Sequence, residues 1–369
     1  MAKLRPRARI VRTIGDQLIS GPEAALIELV KNAYDADSPF VKIKITPPSD
    51  GDWENESSWI TVSDAGHGMT SSDLLDKWLE PATNDKVNRK ISPKKNRKML
   101  GAKGVGRFAT ARLGKRLELE STTITNESSL ETSLMKVDWQ HFEQAKYLDE
   151  VDIEIYSIEP AKNPGVVLRI SDLKDVWSER KLINLIKELR RMASPLSSQD
   201  SDFQIFLDIS EFNEEVHNFN GQDLLVNPFD KNPSSNTEQA ITPLSIENLF
   251  HYMLEGEFSA DGAFSGTFLN DRGDRVKHAL NLPASKLYPE EDSCGPVKVR
   301  LNIYDRESEA IQSLFQGLGF GALGRMESRK LLNENIGVGI YRDGFRIRPY
   351  GDAETDWLEL ERMRVQNPS

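Results

Sequence analysis

The sequence predicts an α+β protein with two domains, and three observations lead to this prediction. The chain has 369 residues, and domains are commonly about 100–200 residues long. Segments with helical and strand-like hydrophobic spacing follow one another along it. Residues 211–245 are rich in Asn, Ser, Pro and acidic residues, a composition typical of linkers. We therefore expect a first domain over 1–210, a linker or insertion over 211–245, and a smaller α/β domain over 246–369.

The first domain begins with a helix that is predicted to run from Pro22 to about Asp37. Proline suits the first helical turn, and the glutamate that follows it suits the positive end of the helix dipole. Further helices are predicted at 72–79, at the end of "GVGRFATARLG", where Gly114 closes the helix, and at 178–193. Strands are predicted at "FVKIKITP", "WITVSD", "RLELESTTI", "SLMKVDW", "VDIEIYSI", "GVVLRISDL" and "DFQIFLDIS".

The second domain is predicted from a strand, helix, strand order. A strand, a turn and a strand are expected in "HYMLEGEFSADGAFSGTFLND", and another strand in "GPVKVRLNIYD". A helical stretch near 307–316 follows, and "IGVGIYRDGFRIRPYG" then continues the pattern. This order predicts a smaller α/β domain.

Composition and charge exclude several classes of protein. The formal net charge of −11 argues against nucleic-acid binding through overall charge. A single cysteine, Cys294, excludes a disulfide framework and a cysteine-based zinc site. The five histidines form no H-E-x-x-H pair. The basic N-terminus lacks the apolar run of a signal peptide, and no apolar run approaches 18 residues. We therefore expect a cytoplasmic protein without a membrane partner.

The helix "ALIELVKNAYDAD" places Glu28, Asn32 and Asp35 on one stripe, because residues three and four apart share a helix face. Such a stripe is compatible with an ordinary solvated surface. Asparagine is a mediocre helix former, however, and its amide oxygen is a suitable ligand for Mg²⁺. A glutamate one turn earlier is placed to hold and deprotonate a water molecule.

The segment "ITVSDAGHGM" places Asp64 at the end of a strand and follows it with Gly66 and Gly68. A carboxylate at this position can accept a hydrogen bond from an exocyclic amine such as N6 of adenine. Glycines beside it allow the backbone to approach a flat base closely. An ordinary Asp-Gly turn is the alternative interpretation.

The segment "LGAKGVGRFATARLG" places Gly101, Gly104 and Gly106 before a predicted helix. Backbone N–H groups and the helix dipole at such a turn favour phosphate oxygens. No G-x-x-x-x-G-K-[ST] sequence occurs, so this is not a P-loop. Gly104 to Ala109 also matches the dinucleotide-binding pattern G-x-G-x-x-A, but "SPKKNRKML" before it is not the buried strand which that site requires.

These three motifs, in this order and spacing, resemble those of the GHKL superfamily of ATPases, which includes gyrase, the heat-shock chaperone, histidine kinases, MutL and the MORC proteins. "ELVKNAYDA" is similar to the N-box, "DAGHGM" to the D-x-G-x-G box, and "GAKGVG" to the glycine-rich phosphate box. "GVVLRISDL" resembles the last box. The resemblance covers about residues 20–210. It implies a Bergerat-type α/β sandwich followed by a domain similar to the transducer domain.

The resemblance also implies roles for individual residues. Glu28 corresponds to the general base or water-orienting carboxylate, Asn32 to the Mg²⁺ ligand, and Asp35 to a supporting residue. Asp64 corresponds to the residue that binds the adenine amine. Residues around the base and the triphosphate are expected to be Gly66, Gly68, Met69, Gly101, Lys103, Gly104, Val105, Gly106, Arg107 and Phe108.

The chain departs from the family pattern at Val166, where a threonine usually supports the adenine-binding carboxylate. It has the N-box glutamate that histidine kinases lack, and no phosphoacceptor-histidine helix, so it resembles the hydrolysing branch. The implied activity is Mg²⁺-dependent ATP hydrolysis that drives lid closure and formation of a homodimer. The implied settings are DNA transactions, chaperoning or prokaryotic anti-phage defence. The alternatives are a non-hydrolysing ATP-binding regulatory module and a histidine-kinase-like protein kinase.

Residues 86–98, "KVNRKISPKKNRK", contain seven basic residues in thirteen. In the family this region is a mobile lid, so its lysines are candidates for covering bound ATP. A solvated loop is an equally suitable interpretation, and binding of DNA through its phosphates is a third. In the second domain, the candidates for a residue that contacts the γ-phosphate are Lys330, Arg342, Arg346 and Arg348.

Overall fold

The structure is a computed structural model, and it divides the chain into two compact units. Unit 1 comprises Met1–Pro243 with Asp343–Phe345, and unit 2 comprises Leu244–Arg342 with Arg346–Ser369. The structure describes residues 5–11, 13, 15, 19–53, 57–80, 90–101, 106, 108–125, 128–192, 203–226, 237–242, 249–272, 275–284, 295–305, 307–317, 325–334, 337–342, 345–347, 350–351, 355–360 and 362–363.

Unit 1 contains an eight-stranded sheet and several helices. The strands are β1 (Phe40–Thr46), β2 (Trp59–Asp64), β3 (Gly114–Ile124), β4 (Leu130–Asp138), β5 (Glu154–Ile158), β6 (Gly165–Leu173), β7 (Gln204–Asp208) and β8 (Glu238–Ala240). The helices are α1 (Pro22–Asp35), α2 (Ser71–Asp73, continued by a π-helical turn at Leu74–Trp78), α3 (Phe108–Leu113), α4 (His141–Gln144), α5 (Glu179–Met192), α6 (Glu214–His217) and α7 (Gly221–Leu225). A 3₁₀ turn spans Leu148–Glu150.

The strand order in this sheet is β5-β4-β3-β6-β2-β1-β7-β8. The pair β1 and β7 is parallel and every other neighbouring pair is antiparallel. Strand β6 therefore lies between β2 and β3, and Asp64 at the end of β2 is opposite Val166 in the register. The large mixed sheet together with its helices confirms the α+β class predicted for the first domain.

The core of unit 1 lies where the helices meet the sheet. Helix α1 packs against β1, α3 and α5, and α3 packs against β3 and β6. Strand β1 alternates as predicted, because Val41, Ile43 and Ile45 are buried while Lys42 and Lys44 face outward. Helix α1 buries the face that carries Leu26, Val30 and Ala33, and its polar stripe lies on a different face of the helix.

The segment predicted as a linker or insertion contains regular structure that packs within unit 1. Helices α6 and α7 and strand β8 lie in it, and β8 pairs with β7 at the edge of the large sheet. Phe212 is fully buried and stacks on Trp53 and Phe219. The contacts divide the chain at Pro243 and Leu244, and the boundaries of independently folding domains stay a prediction.

Unit 2 contains a four-stranded antiparallel sheet with the order β11-β10-β9-β12. Its strands are β9 (Tyr252–Phe258), β10 (Phe264–Asn270), β11 (Val276–Leu282) and β12 (Val297–Ile303). Helices α8 (Ser308–Gly317) and α9 (Arg325–Glu334) pack against each other, and β13 (Ile340–Arg342) pairs with β14 (Phe345–Ile347). Similarity of this unit to a transducer domain stays a prediction.

Among the helices that the structure describes, none has both the length and the apolar character needed to cross a lipid bilayer.

Candidate functional site

The candidate site is built from the polar stripe of α1, the loop after β2, and the glycine segment before α3. Asn32 is half-buried on the last turns of α1. A Cβ atom added to Gly106 would lie 2.9 Å from Asn32 Nδ2 and 3.2 Å from Oδ1. The Asn32 amide therefore lies directly against the backbone of the predicted phosphate box, and a residue with a side chain at position 106 would displace it.

Asp35 connects α1 to the start of the same box. Its side chain is buried, and its two oxygens accept hydrogen bonds from the backbone N–H groups of Leu100 (2.7 Å) and Gly101 (3.0 Å). Hydrogen bonds to a charged acceptor are among the stronger ones in proteins. Asp35 thus holds the chain entering the glycine segment against the end of α1, which agrees with the supporting role that the resemblance implies.

Glu28 lies one turn before Asn32 and is paired with Lys31. The Lys31 ammonium lies 2.7 Å from Glu28 Oε1. The Lys31 side chain is 22% exposed and the Glu28 side chain is 33% exposed. The ion pair limits the rotamers available to the Glu28 carboxylate. A part of that carboxylate remains accessible to solvent, as a water-activating group requires.

Asp64 ends β2 with a half-buried side chain. Burial raises its pKa to about 6, although the backbone N–H groups of Gly66 and Val166 both donate to it and act to lower the pKa. The Gly66 N–H lies 2.7 Å from Oδ1. In the family, a threonine side chain at the position of Val166 usually supports this carboxylate. Here the backbone N–H groups of Gly66 and Val166 donate to it instead, so Asp64 keeps hydrogen-bond partners without the threonine.

Two residues that the sequence did not single out, Ser121 and Thr123, hold the loop after Asp64. The Ser121 hydroxyl accepts from the Met69 N–H (2.7 Å) and donates to the Met69 carbonyl (3.1 Å). The Thr123 hydroxyl donates to the His67 carbonyl (2.8 Å). Both side chains are buried on β3. The sequence signal for these two residues was the polar run "STT" inside a predicted strand. Hydroxyl groups that are buried require hydrogen-bond partners, so such a run indicates contacts with another segment.

Gly68 in this loop cannot be replaced without strain. Its φ is +67°, and an added Cβ atom would lie 2.0 Å from the Thr122 carbonyl oxygen.

We expect Gly68→Ala to lower the free energy of unfolding by at least ~2 kcal/mol, measured by urea denaturation. The matched control is Gly51→Ala. Gly51 also has a positive φ (+75°), but its nearest neighbour is the movable Val216 side chain at 3.2 Å. Its backbone penalty alone is about 1 kcal/mol. Equal losses in the two variants would contradict the proposed clash.

The other predicted site residues differ in what the structure places around them. Met69 is half-buried and packs on the hydrophobic core. Phe108 begins α3, and its side chain is buried in that core. Four predicted residues fall outside the described residues: Lys103, Gly104, Val105 and Arg107.

The basic segment 86–98 is described from residue 90 onward. Lys90, Lys94, Lys95 and Lys98 are exposed. Arg97 is 5% exposed, and its guanidinium donates to the backbone carbonyls of Tyr34 and Ser38. Arg97 is therefore engaged within the protein and is not one of the cations presented to solvent for a nucleotide or DNA. Residues 86–89 lie outside the described part of the chain.

Among the four candidates for a γ-phosphate contact, Arg346 is the one whose side chain the structure describes. For residues 330 and 342 only the backbone is described, and residue 348 is outside the described residues. The side chain of Arg346 donates from Nε to the Tyr350 carbonyl within unit 2 (2.7 Å).

Comparison with known protein families finds a match for the chain. Residues 19–163 match the family model of the histidine kinase-, DNA gyrase B- and HSP90-like ATPases. The chain therefore carries a GHKL-type domain over these residues. No curated protein matches it. The predicted resemblance is thus confirmed for the segment that holds Glu28, Asn32, Asp35, Asp64 and the glycine segment. The GHKL domain is an ATP-binding domain, and the match supports ATP binding by this chain.

The family match ends before β6. The assignment of "GVVLRISDL" as the last box, and of anything beyond it to the GHKL domain, therefore stays a prediction. Unit 2 also lies outside the matched residues.

Proposed function

We propose that this GHKL protein binds Mg²⁺-ATP and hydrolyses it, and that the nucleotide controls a conformational switch with closure of a lid and formation of a homodimer. One observation carries the proposal. The last turn of α1 touches both loops that a nucleotide would need: the Ala36 carbonyl accepts from the His67 N–H (3.0 Å), and Asp35 accepts from Leu100 and Gly101. These contacts support a single site that contains both the predicted base-binding group and the predicted phosphate-binding segment.

The residues present fit the adenine base. The Asp64 carboxylate is a half-buried hydrogen-bond acceptor, and its raised pKa is the result expected when burial disfavours the charge. An adenine N6 amine would supply a donor to it. Gly66 and Gly68 follow Asp64, but a Cβ atom at either position would meet protein atoms, the Ala36 carbonyl oxygen at 2.6 Å and the Thr122 carbonyl oxygen at 2.0 Å, so packing of the loop itself accounts for these two glycines. The Asp64 carboxylate would orient the base without contributing to the chemistry.

The Asn32 side chain also fits a metal ion beside the phosphates, since an amide oxygen is a suitable ligand for Mg²⁺. In the part of the chain that the structure describes, no group of three or more His, Cys, Asp or Glu side chains is arranged to hold a metal ion. Asn32 is the side chain that would hold Mg²⁺, through its amide oxygen, with phosphate oxygens and water as the other ligands. Magnesium would supply positive charge beside the phosphates, which stabilises the developing charge on the transferred group.

Hydrolysis requires a base near the terminal phosphate, and Glu28 is placed for it on the same stripe as Asn32. Water would attack the γ-phosphorus, and the bond from that phosphorus to the bridging oxygen of ADP would break. The proton of the water would pass to the Glu28 carboxylate. The Lys31 ammonium would keep this carboxylate in one orientation.

The same ion pair favours the second candidate, a module that binds ATP without turnover. The Lys31 ammonium lies 2.7 Å from Glu28 Oε1, so this oxygen is engaged and is not available to bind water. A protein kinase is the third candidate. Turnover of ATP by the wild-type protein separates the first two candidates, and transfer of labelled phosphate to protein would identify the third.

The test of the proposal is a titration with a non-hydrolysable ATP analogue in the presence of Mg²⁺ or of a chelator. We expect Mg²⁺ to tighten binding to the wild-type protein and to have much less effect on Asn32→Ala, because the variant lacks the amide ligand. Isothermal calorimetry measures the affinities, and light scattering on the same samples measures the mass. A monomer with and without the analogue would contradict dimerisation, and equal metal dependence in both proteins would contradict the role of Asn32.

A further inference from the structure

The end of α1 forms a junction between the two halves of the candidate site. We define the α1 junction as residues 35–38, "DADS", which follow directly from the polar stripe. Asp35, Asp37 and Ser38 are all buried. The N-box motif accounts for Asp35, but nothing in the motif accounts for two further buried polar residues at the next positions. Buried polar side chains are retained at a cost unless they have partners, so their partners indicate what they do.

Ser38 connects the junction to the base side of the site. Its hydroxyl oxygen accepts from the backbone N–H of Ala65 (2.9 Å) and donates to the Phe40 carbonyl (2.5 Å). Ala65 is the residue between Asp64 and Gly66. Ser38 is completely buried, so its bond to Ala65 has no competing water. This contact sets the direction in which the chain leaves β2, and therefore the position of the Asp64 carboxylate.

Asp37 connects the junction to the phosphate side. Its Oδ2 accepts from the backbone N–H of Lys94 (2.8 Å) and its Oδ1 from that of Lys95 (3.2 Å). The residue adopts a left-handed backbone conformation, with φ of +63°, which points its side chain back toward this segment. A left-handed conformation is unfavourable for a residue other than glycine and persists where surrounding contacts impose it.

Arg97 also attaches the segment that contains Lys94 and Lys95 to the α1 junction. Its guanidinium donates to the carbonyls of Tyr34 (3.1 Å) and Ser38 (2.7 Å) and lies 4.4 Å above the Tyr34 ring. The segment is also closed on itself, because the Arg97 N–H donates to the Ser92 hydroxyl (2.9 Å) and the Ser92 N–H donates to the Arg97 carbonyl (2.8 Å). Leu100, whose N–H binds Asp35, follows three residues later. The chain therefore enters the phosphate box from a fixed point.

Electrostatics agree with an ionised Asp37. Burial acts to raise its pKa, but hydrogen bonds from Ser92, Lys94 and Lys95 and the charge of Arg97 outweigh burial and lower the pKa below its ordinary value. A lowered pKa stabilises the folded protein above the ordinary value of 3.8 and loses that contribution as the pH falls through the lowered pKa. At neutral pH the Asp37 contacts are consequently complete.

We propose that Asp37 and Ser38 are positioning residues that control the two halves of the nucleotide site separately, Asp37 the phosphate half and Ser38 the base half. This inference rests on the proposed ATP binding. Neither residue contacts the site through its own side chain. Asp37 acts through residues 92–101, and Ser38 acts through Ala65 on the loop after Asp64.

The two roles predict different losses of affinity for adenosine and for an ATP analogue. Asp37→Asn replaces one acceptor oxygen by a donor and weakens the hold on the phosphate segment. We expect it to lower affinity for a non-hydrolysable ATP analogue about 10-fold or more and to leave affinity for adenosine nearly unchanged. Ser38→Ala disturbs the base half, which every adenine ligand uses. We expect it to lower the affinities for adenosine and for the analogue by the same factor.

Affinities are measured by calorimetry for the analogue and by competition against a fluorescent nucleotide for adenosine. The matched control is Asp138→Asn at the end of β4, where the carboxylate likewise accepts a backbone N–H, from Gln140 (2.9 Å), but away from the site. Arg97→Lys is the second variant on the phosphate side, and we expect the same pattern from it. Hydrogen exchange at the Leu100 and Gly101 amides should accelerate in both phosphate-side variants and not in Ser38→Ala.

The outcomes separate this inference from the function on which it rests. Equal loss of adenosine and analogue affinity in Asp37→Asn would overturn the inference, because a general loss of structure produces that result. Unchanged affinities in both variants would overturn it as well. Failure of the wild-type protein to bind the analogue would instead overturn the proposed function itself.

Discussion

Replacing Glu28 with glutamine is expected to lower the rate of ATP hydrolysis by about 10²–10⁴-fold, the usual contribution of a general base. Glutamine has the same size and can still orient water, but it cannot accept the proton. Binding of the non-hydrolysable analogue should be nearly unchanged, because Glu28 is not among the groups proposed to hold the base or the phosphates. Loss of the Lys31 partner should change stability by no more than about 1 kcal/mol. Steady-state phosphate release and calorimetry measure the two quantities.

The matched control for this experiment is Glu23→Gln, an acidic residue on the first turn of the same helix and off the polar stripe. We expect its turnover to equal that of the wild type. Retention of full turnover in Glu28→Gln would show that another group activates water. Absence of turnover in the wild type, together with tight binding of the analogue, would favour the non-hydrolysing module.

Replacing Asp64 with asparagine is expected to lower the affinity for adenine nucleotides by about 10–100-fold, the cost of leaving buried polar groups without partners. The carboxylate accepts from Gly66 and Val166. An amide has one oxygen fewer, so its NH₂ group must face either these donors or the adenine amine. Because the substitution also removes a buried charge, the free energy of unfolding should fall little. The same amide can donate to O6 of guanine, so the preference for ATP over GTP should decrease.

The pH dependence provides an independent signature of Asp64. With a pKa near 6, its carboxylate becomes protonated below that pH. Affinity for adenosine, which does not titrate in this range, should therefore rise with pH up to about 6 and then stay level. A pKa above the ordinary value of 3.8 means that the folded protein holds this proton more tightly than the unfolded chain. The contribution of Asp64 to stability is thus greatest below pH 3.8 and is lost as the pH rises through 6.

Between pH 4 and pH 6, the affinity for adenosine should therefore rise while the contribution of Asp64 to the free energy of unfolding falls. Both changes should be absent in Asp64→Asn. An affinity that follows the same pH curve in the variant would assign the titration to another group. Adenosine is the suitable probe, because phosphate groups of nucleotides also titrate near this pH and would confuse the result.

Much of the candidate site was predictable because its chemistry is encoded over short spans. Glu28, Asn32 and Asp35 lie on one stripe as a consequence of helical periodicity alone. Asp64 and the glycines after it occur within five residues, and the family match covers both segments. Most helices and strands were predictable from local hydrophobic spacing, including α8 and the β9 to β10 hairpin in unit 2, whereas β11 and α9 were not predicted. Local spacing did not reveal the structure inside 211–245, since three short elements there are held by contacts with distant residues such as Trp53.

The sequence by itself determined the α+β class, the polar stripe of α1 and the GHKL-type character of residues 19–163. Only the tertiary structure decided which segments meet around that stripe. The position of β6 beside β2, which brings the Val166 N–H to Asp64, depends on strand order, and strand order depends on contacts between residues about 100 apart in sequence. The same is true of Ser121 and Thr123 against the loop after Asp64, and of Arg97 and Asp37 at the α1 junction. Each of these polar groups is buried, and a buried polar group acquires a defined role only when folding supplies its hydrogen-bond partner.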